Sequence, residues 1–346
     1  MPFRCFKNSI YFFVLVAFNF QVCSAQYNFS ALDKLLDSKK QAFGGNVCIL
    51  VYKGDRIIYE QNLGEYDKNT LEPIASCSKW LTAALVMTFV EEGKLSLNDY
   101  VGKYLPEFSR DGKESIKLKH CLSHTSGIES ETINLGTIMA RKKYKSLAQE
   151  VGSFATKPMV GEPGKVFSYS TVGLNIAGRI LEVISGKDFE TLFQERIVRP
   201  LGMTNTTFTN GKAVNPSGGA ASTASDYLKF LIMILNKGEY HGKHMLSQNS
   251  VEQMQVSQTV GVKTLYVPDG AEGFEYALGE WVQAKDKNGT SLVISSPGLF
   301  GTYPMIDKAR NYAAIVFVKN LKIRNRKENY MAIKAAIDQS LISSNP

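Results

Sequence analysis

The chain has 346 residues, of which 44% are hydrophobic and 21% are charged, and this balance argues against both a disordered chain and a membrane bundle. Its length permits either one large domain or two moderate domains that share an interface. The formal net charge of +8 includes basic clusters at residues 141–145 and 319–327, which we interpret as solvated faces too short to predict a nucleic-acid partner.

The first 25 residues have the pattern of a secretory signal. Arg4 and Lys7 precede an apolar run from Ile10 to Phe20, and small residues up to Ala25 favour cleavage after that position. A membrane span needs about 20 apolar residues, and this run is shorter. We therefore expect an exported protein, periplasmic or secreted, with no stable membrane span after signal cleavage. A retained N-terminal anchor is the alternative.

The cysteines are expected to be buried thiols. Cys5 and Cys23 would leave with the signal, so that Cys48, Cys77 and Cys121 remain, each within an apolar stretch. An odd number of cysteines in such surroundings does not favour a disulfide framework, even in an oxidising compartment.

The mature chain begins with alternating helix and strand signals. Ser30 is expected to cap a short helix, and residues 47–52 and 56–61 flank a Lys-Gly-Asp turn that predicts a β-hairpin. From Ser76 to Glu92 the chain is rich in Ala, Leu, Val and Met, and the glycine that follows is placed to end a helix.

The remainder predicts helices first and strands later. Up to about residue 216, helices are expected within residues 116–123, 172–184 and 189–198, with few strand signals. Strands are then predicted at residues 276–283, 291–295, 302–306 and 312–318, and a final amphipathic helix at residues 328–342.

This order of elements predicts an α/β (α+β) fold. Strands at both ends with helices between them indicate an antiparallel sheet, flanked by terminal helices, into which a mostly helical domain is inserted. The expected boundaries place the sheet domain at residues 26–75 plus 217–346 and the helical domain at residues 76–216. The active site is expected at the interface of the two domains.

Few residues qualify for catalysis. The chain has no G-x-S-x-G, P-loop, H-E-x-x-H or C-x-x-C motif, and His241 and His244 lack a third ligand nearby, so no metal and no cofactor are expected. An S-x-x-K motif occurs once, at Ser76 and Lys79. Side chains three residues apart share a helix face, so the amine can approach the hydroxyl.

The neighbours of the motif favour a functional interpretation. On spacing alone, an ordinary surface serine and lysine would explain Ser76 and Lys79 equally well. The residues that follow, Trp80, Leu81 and Ala83, instead indicate a buried helix. A buried lysine is costly unless it is paired or neutral, and a neutral lysine can act as a base.

Several segments resemble one enzyme family. Residues 74–80 (I-A-S-C-S-K-W) resemble the active-site segment of class C β-lactamases, D-alanyl-D-alanine carboxypeptidases and related esterases. The L-S-H-T-S-G loop at residues 122–127 and the Y-S-T segment at residues 169–171 are similar to further family motifs. Residues 200–203 and 218–223 match later segments in the expected order, so the resemblance covers nearly the whole mature chain.

The resemblance implies a β-lactamase/transpeptidase-like fold and a set of catalytic roles. Ser76 would form an acyl-enzyme, and its backbone N–H would contribute to the oxyanion hole. Lys79 and Tyr169 would share the base and acid steps, with the division between them left open. His124 is more simply explained as a residue that shapes the loop than as a catalytic base.

Two departures from the family pattern affect the expected substrate. Thr171 stands where the family has asparagine, and Ser296-Pro297-Gly298 stands where it has K-T-G or H-x-G. We expect Thr171, Ser296 and Gly298 to bind substrate, with Ser296 offering a neutral donor in place of a cation. This difference favours small-molecule esters or small amides over penicillins and peptidoglycan peptides.

Two alternatives remain open at this point. One is a true β-lactamase or D-alanyl-D-alanine carboxypeptidase acting on lactam or peptide substrates. The other is an inactive binding module that keeps the fold, against which the presence of Ser76, Lys79 and Tyr169 argues.

Overall fold

The computed structural model describes Met1, residues 27–209 and residues 213–342. Residues 2–25 of the predicted signal, with Cys5 and Cys23, lie outside the described residues. Within the described ranges, no helix combines the length and the hydropathy needed to cross a bilayer.

The central element is an antiparallel sheet of seven strands in the order β2-β1-β13-β12-β11-β10-β9. Its strands come from the two ends of the chain, as the sequence predicted. The strands are β1 Val47–Lys53, β2 Arg56–Leu63, β3 Glu72–Pro73, β4 Val166–Ser168, β5 Ala221–Ser222, β6 Glu239–Tyr240, β7 Lys243–His244, β8 Lys263–Tyr266, β9 Glu275–Tyr276, β10 Trp281–Lys285, β11 Ser291–Ser295, β12 Gly301–Asp307 and β13 Tyr312–Lys319.

Helices cover both faces of the sheet, and helices joined by loops follow one another between β3 and β5. They are α1 Ser30–Lys39, α2 Ser78–Glu91, α3 Leu118–Leu122, α4 Leu135–Ala140, α5 Leu147–Ala155, α6 Val172–Ser185, α7 Phe189–Phe193, α8 Arg199–Leu201, α9 Ala224–Leu235, α10 Gln248–Met254 and α11 Arg326–Ile342.

The first hairpin forms because its turn residues accept a left-handed backbone. Gly54 has φ 56° and Asp55 has φ 61°, and the tight turns that match the twist of paired strands require positive φ at both central positions. Strand β1 then pairs with β2 on one side and with β13 on the other, so it lies inside the sheet.

Alternation along the strands separates two apolar cores. Cys48 and Leu50 of β1 pack with the helical part of the chain, whereas Val47, Ile49 and Val51 face the opposite side. That opposite side is covered by α1 and α11, which also contact each other. A sheet that is apolar on both faces needs this cover on both faces.

Three local predictions were wrong. Ser30 does not cap α1, because it is the first residue of the helix and Phe29 occupies the N-cap position; Asn28 Oδ1 accepts the Ser30 N–H at 3.1 Å. The single strand predicted at residues 276–283 is two antiparallel strands, β9 and β10, joined by a turn in which the Ala277 N–H donates to the Glu280 carbonyl. Strand β4 lies within the stretch predicted to be helical and pairs in parallel with β8. The domain boundaries at residues 75/76 and 216/217 stay predictions.

Candidate active site

Ser76 lies in a short 3-10 turn, Ala75–Cys77, that leads directly into α2. Ala75 has φ 46°, a left-handed conformation that costs a non-glycine residue about 1–2 kcal/mol. The neighbouring contacts hold this turn in place. The Ser78 hydroxyl donates to the Ala75 carbonyl at 2.6 Å and accepts the Ala220 N–H at 3.0 Å, and the Ile74 N–H donates to the Ala220 carbonyl at 2.9 Å.

Lys79 occupies the first turn of α2, and its side chain is fully buried. Its Nζ atom donates to Ser76 Oγ at 3.1 Å and to the Ser217 carbonyl at 2.7 Å. Burial without a nearby carboxylate disfavours the charged amine and lowers the pKa of Lys79 to about 7. At neutral pH, a substantial fraction of Lys79 is therefore a neutral amine that can accept a proton from Ser76.

Tyr169 also lies next to Ser76, just after β4. Its ring stacks on Trp281 with centroids 5.3 Å apart, and its N–H donates to the Tyr266 carbonyl at 3.1 Å. Burial raises the pKa of Tyr169, although a hydrogen bond with Ser76 opposes that shift. The Tyr169 hydroxyl therefore stays protonated at neutral pH and can donate a proton.

His124 contacts the Tyr169 segment through its backbone and its imidazole ring. Its carbonyl accepts the Ser168 N–H at 3.0 Å, and its Nδ1 atom accepts the Ser170 N–H at 3.4 Å. Its ring lies 4.5 Å from the ring of Tyr169, centroid to centroid. Burial, with the nearby Lys79 charge, lowers the pKa of His124 well below its ordinary value, so the imidazole is neutral and serves as an acceptor.

A cavity of about 240 Å³ opens over Ser76 and Tyr169. Most of its wall is apolar or aromatic, while Asp269 and Arg326 line it with charged side chains. The apolar and aromatic lining residues include Ile133, Tyr266, Ala271, Trp281, Leu299 and Tyr330.

The three residues expected to bind substrate lie at three different positions relative to the cavity. Gly298 lines the cavity over Ser76. Ser296 lies beside Ser76, but its hydroxyl donates to the Gly279 carbonyl at 3.2 Å and to the Ser76 carbonyl at 3.4 Å rather than lining the cavity. Thr171 lines a second cavity of about 100 Å³, which shares Ile133 with the first.

Comparison with known proteins gives the family. The model of the Beta-lactamase family matches residues 32–337. The chain belongs to the Beta-lactamase family. Its members are serine hydrolases, so this protein is a β-lactamase-family hydrolase with the β-lactamase/transpeptidase-like fold that the sequence motifs implied.

The names of the proteins that this chain resembles describe different activities. The chain is 27% identical over 271 residues to the D-alanyl-D-alanine-carboxypeptidase/endopeptidase AmpH of Escherichia coli K12, covering 71% of this chain and 70% of that protein. A solved structure from Bacteroides dorei DSM 17855, assigned to the β-lactamases, is 31% identical with a TM-score of 0.80 and covers 91% of this chain and all of that one. EstCE1, a hydrolase with promiscuous acyltransferase activity, shares the fold at 18% identity and a TM-score of 0.72, covering 89% and 97% of the two chains.

The β-lactamase motifs did not reveal every residue at the site. The Ser217 carbonyl that holds Lys79 immediately precedes the Gly218–Thr223 segment, but a backbone acceptor leaves no signature of its own. Arg326 begins α11, more than 200 residues from Ser76, and reaches the cavity through the fold. Trp281 could have been noted as one of two tryptophans in the chain.

The cysteines of the described chain are buried thiols, and Cys77 directly follows Ser76 in the same 3-10 turn. Cys48, Cys77 and Cys121 are free and buried, which confirms the prediction of buried thiols. Among the described residues, no group of three or more His, Cys, Asp or Glu side chains is arranged to hold a metal ion.

Proposed function

We propose that this hydrolase is a serine acyl hydrolase that forms an acyl-enzyme through Ser76 and acts on esters or small amides. The observation that carries the proposal is the buried Lys79 amine, 3.1 Å from Ser76 Oγ, with a pKa lowered to about 7. A serine hydroxyl becomes a useful nucleophile only when a base of this kind removes its proton.

In acylation, neutral Lys79 takes the Ser76 proton while Oγ attacks the carbonyl carbon of the substrate. The developing oxyanion lies near the start of α2, where the Ser76 N–H and the positive end of the helix dipole stabilise negative charge. Tyr169 donates its proton to the leaving oxygen or nitrogen as the scissile bond breaks. The products of this step are the acyl-enzyme, protonated Lys79, the Tyr169 phenolate and the free alcohol or amine.

Deacylation returns each proton. The Tyr169 phenolate, whose raised pKa makes it a strong base, takes a proton from water as the water oxygen attacks the acyl carbon. The bond from the acyl carbon to Ser76 Oγ then breaks, and Oγ recovers its proton from Lys79. The net reaction is hydrolysis of an ester to an acid and an alcohol.

The cavity supports a neutral substrate. Its aromatic and apolar wall suits a small acyl or alcohol group, and the opposite charges of Asp269 and Arg326 cancel in the formal charge of the lining. EstCE1 shares the fold, and its name describes a hydrolase with acyltransferase activity. The Ser296 side chain is neutral, and its hydroxyl donates to the Gly279 carbonyl, so Ser296 supplies no charge to a substrate.

One observation favours a second candidate, hydrolysis of carboxylate-bearing lactams or D-alanyl peptides. Arg326 is only 9% exposed, its Nη1 atom donates to the Gly298 carbonyl at 3.2 Å, and it lines the same cavity as Ser76. It forms no ion pair within the described part of the chain. A charge-assisted hydrogen bond to a substrate carboxylate would contribute about 1.5–3 kcal/mol.

The test is a substrate panel on the purified chain lacking residues 1–25. A short-chain nitrophenyl ester, a chromogenic cephalosporin and a D-alanyl-D-alanine peptide are compared by kcat/KM, and a serine-reactive phosphonate is mapped to its peptide. We expect labelling at Ser76, loss of labelling and turnover in Ser76→Ala, and preference for the ester. Labelling at another serine with turnover intact in Ser76→Ala contradicts the proposal.

Arg326→Ala separates the two candidates. If carboxylate-bearing molecules are the substrates, this change lowers kcat/KM for the cephalosporin about 10- to 150-fold and spares the ester. Lys327→Ala is the matched control, because Lys327 is the adjacent cation but does not line the cavity and donates to the Glu272 carbonyl instead.

The predicted signal leads us to propose export as well. Detection of the mature N-terminus after Ala25 in the periplasm or medium tests it.

A further inference from the structure

We propose that Asn175 and Glu150 are positioning residues for Lys79, acting through the Ser217 peptide group that binds the lysine amine. The inference rests on the proposed function, since it assigns how the base of that reaction is held in place. Neither residue contacts Ser76 or lines the cavity above it.

The Ser217 carbonyl is the nearer partner of the amine. Lys79 Nζ lies 2.7 Å from that carbonyl and 3.1 Å from Ser76 Oγ. A neutral amine has two N–H bonds and one lone pair. When one N–H points to the carbonyl, the position of the carbonyl helps to set whether the lone pair faces the Ser76 hydroxyl.

The Ser217 peptide is held in turn by Asn175 on α6. The Ser217 N–H donates to Asn175 Oδ1 at 3.0 Å, so the same residue binds Asn175 through its nitrogen and Lys79 through its carbonyl oxygen. Asn175 and Ser217 are both fully buried. A movement of the Asn175 side chain therefore moves the acceptor of the Lys79 amine.

Glu150 on α5 fixes the orientation of Asn175. Asn175 Nδ2 donates to Glu150 Oε2 at 3.1 Å, which requires Oδ1 to face Ser217. Glu150 is 1% exposed and is paired with Arg141, whose Nε atom donates to Glu150 Oε1 at 2.6 Å. A buried carboxylate without a partner is strongly unfavourable, so the Arg141 contact keeps Glu150 available as an acceptor.

The loop that carries Ser217 is fixed at neighbouring positions as well. Thr82 on α2 donates to the Pro216 carbonyl at 2.6 Å, and Arg141 Nη2 donates to the Val214 carbonyl at 3.3 Å. Arg141, Glu150 and Asn175 thus form a hydrogen-bonded path that ends at Lys79. A role confined to stability would not require this path to end on the catalytic base.

The test is a mutant cycle between Asn175→Ala and Lys79→Ala, with rates normalised to the concentration of folded protein measured by circular dichroism. We expect Asn175→Ala to lower ester kcat/KM about tenfold or more in the native background and less than about twofold in Lys79→Ala. An equal loss in both backgrounds overturns the proposal, because Asn175 would then act independently of the lysine. No loss in the native background overturns it as well.

Glu150→Gln and Asn329→Ala complete the set. The glutamine introduced by Glu150→Gln keeps an oxygen that accepts from Asn175, so this variant should retain more activity per folded protein than Glu150→Ala, and equal losses in the two variants contradict the proposal. Asn329 is a buried asparagine on α11 whose Nδ2 atom donates to the Arg324 carbonyl at 2.9 Å, remote from this path. Asn329→Ala should lower the Tm without changing kcat/KM per folded protein.

A second readout does not depend on turnover. The Ser217 carbonyl accepts a hydrogen bond from Lys79 and so favours the protonated amine. Asn175→Ala should leave that carbonyl free to move away, so we expect the Lys79 pKa to fall by about one unit. NMR of the labelled lysine side chain measures this pKa. An unchanged Lys79 pKa overturns the positioning role. If native protein neither hydrolyses the panel nor reacts at Ser76, the proposed function fails, whereas this titration still decides the positioning role.

Discussion

The amine of Lys79 lies 4.7 Å from the ring centre of Tyr169. The face of an aromatic ring favours a cation, whereas burial disfavours one and lowers the pKa of Lys79 to about 7. Because both side chains lie next to Ser76, we expect a change in the charge of one to alter the titration of the other.

The pH dependence of the reaction should follow Lys79. Below its pKa of about 7 the amine is protonated and cannot accept the Ser76 proton, so kcat/KM for an ester should rise with pH through that value and then level off. The raised pKa of Tyr169 keeps its hydroxyl protonated, so it should cause no fall in rate up to about pH 9. A rate that is flat or falling between about pH 6 and 8 would contradict this assignment.

Removal of either proton carrier should be costly, and the two losses should not add. Lys79→Ala and Tyr169→Phe are each expected to slow acylation by about 100-fold or more, measured as the rate of the stopped-flow burst. If the two groups act as one unit, the double variant should be little slower than the worse single variant. A double loss equal to the product of the single losses would indicate independent roles.

Gly298→Ala should disrupt the site for a steric reason. A Cβ atom at this position would lie 2.4 Å from the Ile74 carbonyl oxygen and 3.2 Å from Cys77 Sγ, on both sides of Ser76 in sequence. We expect a lower Tm and a kcat/KM at least tenfold lower, which corresponds to a loss of about 1.4 kcal/mol or more of transition-state stabilisation. Gly152→Ala in α5 is the control, since its Cβ meets no atom and alanine favours helix. Activity in Gly298→Ala equal to that in Gly152→Ala would show that the close packing at Gly298 is not needed.

Ser296→Ala tests whether Ser296 selects the substrate. Because the Ser296 hydroxyl donates to backbone carbonyls, its loss should change the ratio of ester to cephalosporin kcat/KM by less than about threefold, that is, by less than about 1 kcal/mol. A larger change in that ratio would place Ser296 in contact with substrate.

Glu280 should make the protein less stable as pH rises. The side chain is fully buried with no hydrogen-bond partner in the described structure, and burial raises its pKa well above 4.5. Above about pH 4.5 the unfolded chain releases this proton while the folded chain keeps it, so the free energy of unfolding falls with pH. Glu280→Gln should therefore raise the Tm more at about pH 8 than at about pH 4.5. The exposed Glu65→Gln is the control, and an equal change in Tm at both pH values would contradict the expectation.

Local patterns predicted much of the fold and the approach of Lys79 to Ser76. The hairpin, the α2 helix and the S-x-x-K pair depend on residues close in sequence, and those predictions match the structure. Contacts between distant segments were missed. The path from Lys79 to Ser217 and Asn175 joins three segments that only the folded chain brings together, and Arg326 reaches the cavity from the C-terminal helix. The strand predicted at residues 276–283 was wrong because apolar residues in a tight turn resemble a continuous strand.

The placement of the tryptophans makes the site visible to fluorescence. Trp281 lines the cavity and stacks on Tyr169, whereas Trp80, the other tryptophan of the chain, is fully buried within α2. A molecule that enters the cavity changes the surroundings of one emitter and leaves the other as a constant background. Ligand affinity can therefore be followed in unlabelled protein, including a Ser76→Ala variant that binds without turnover.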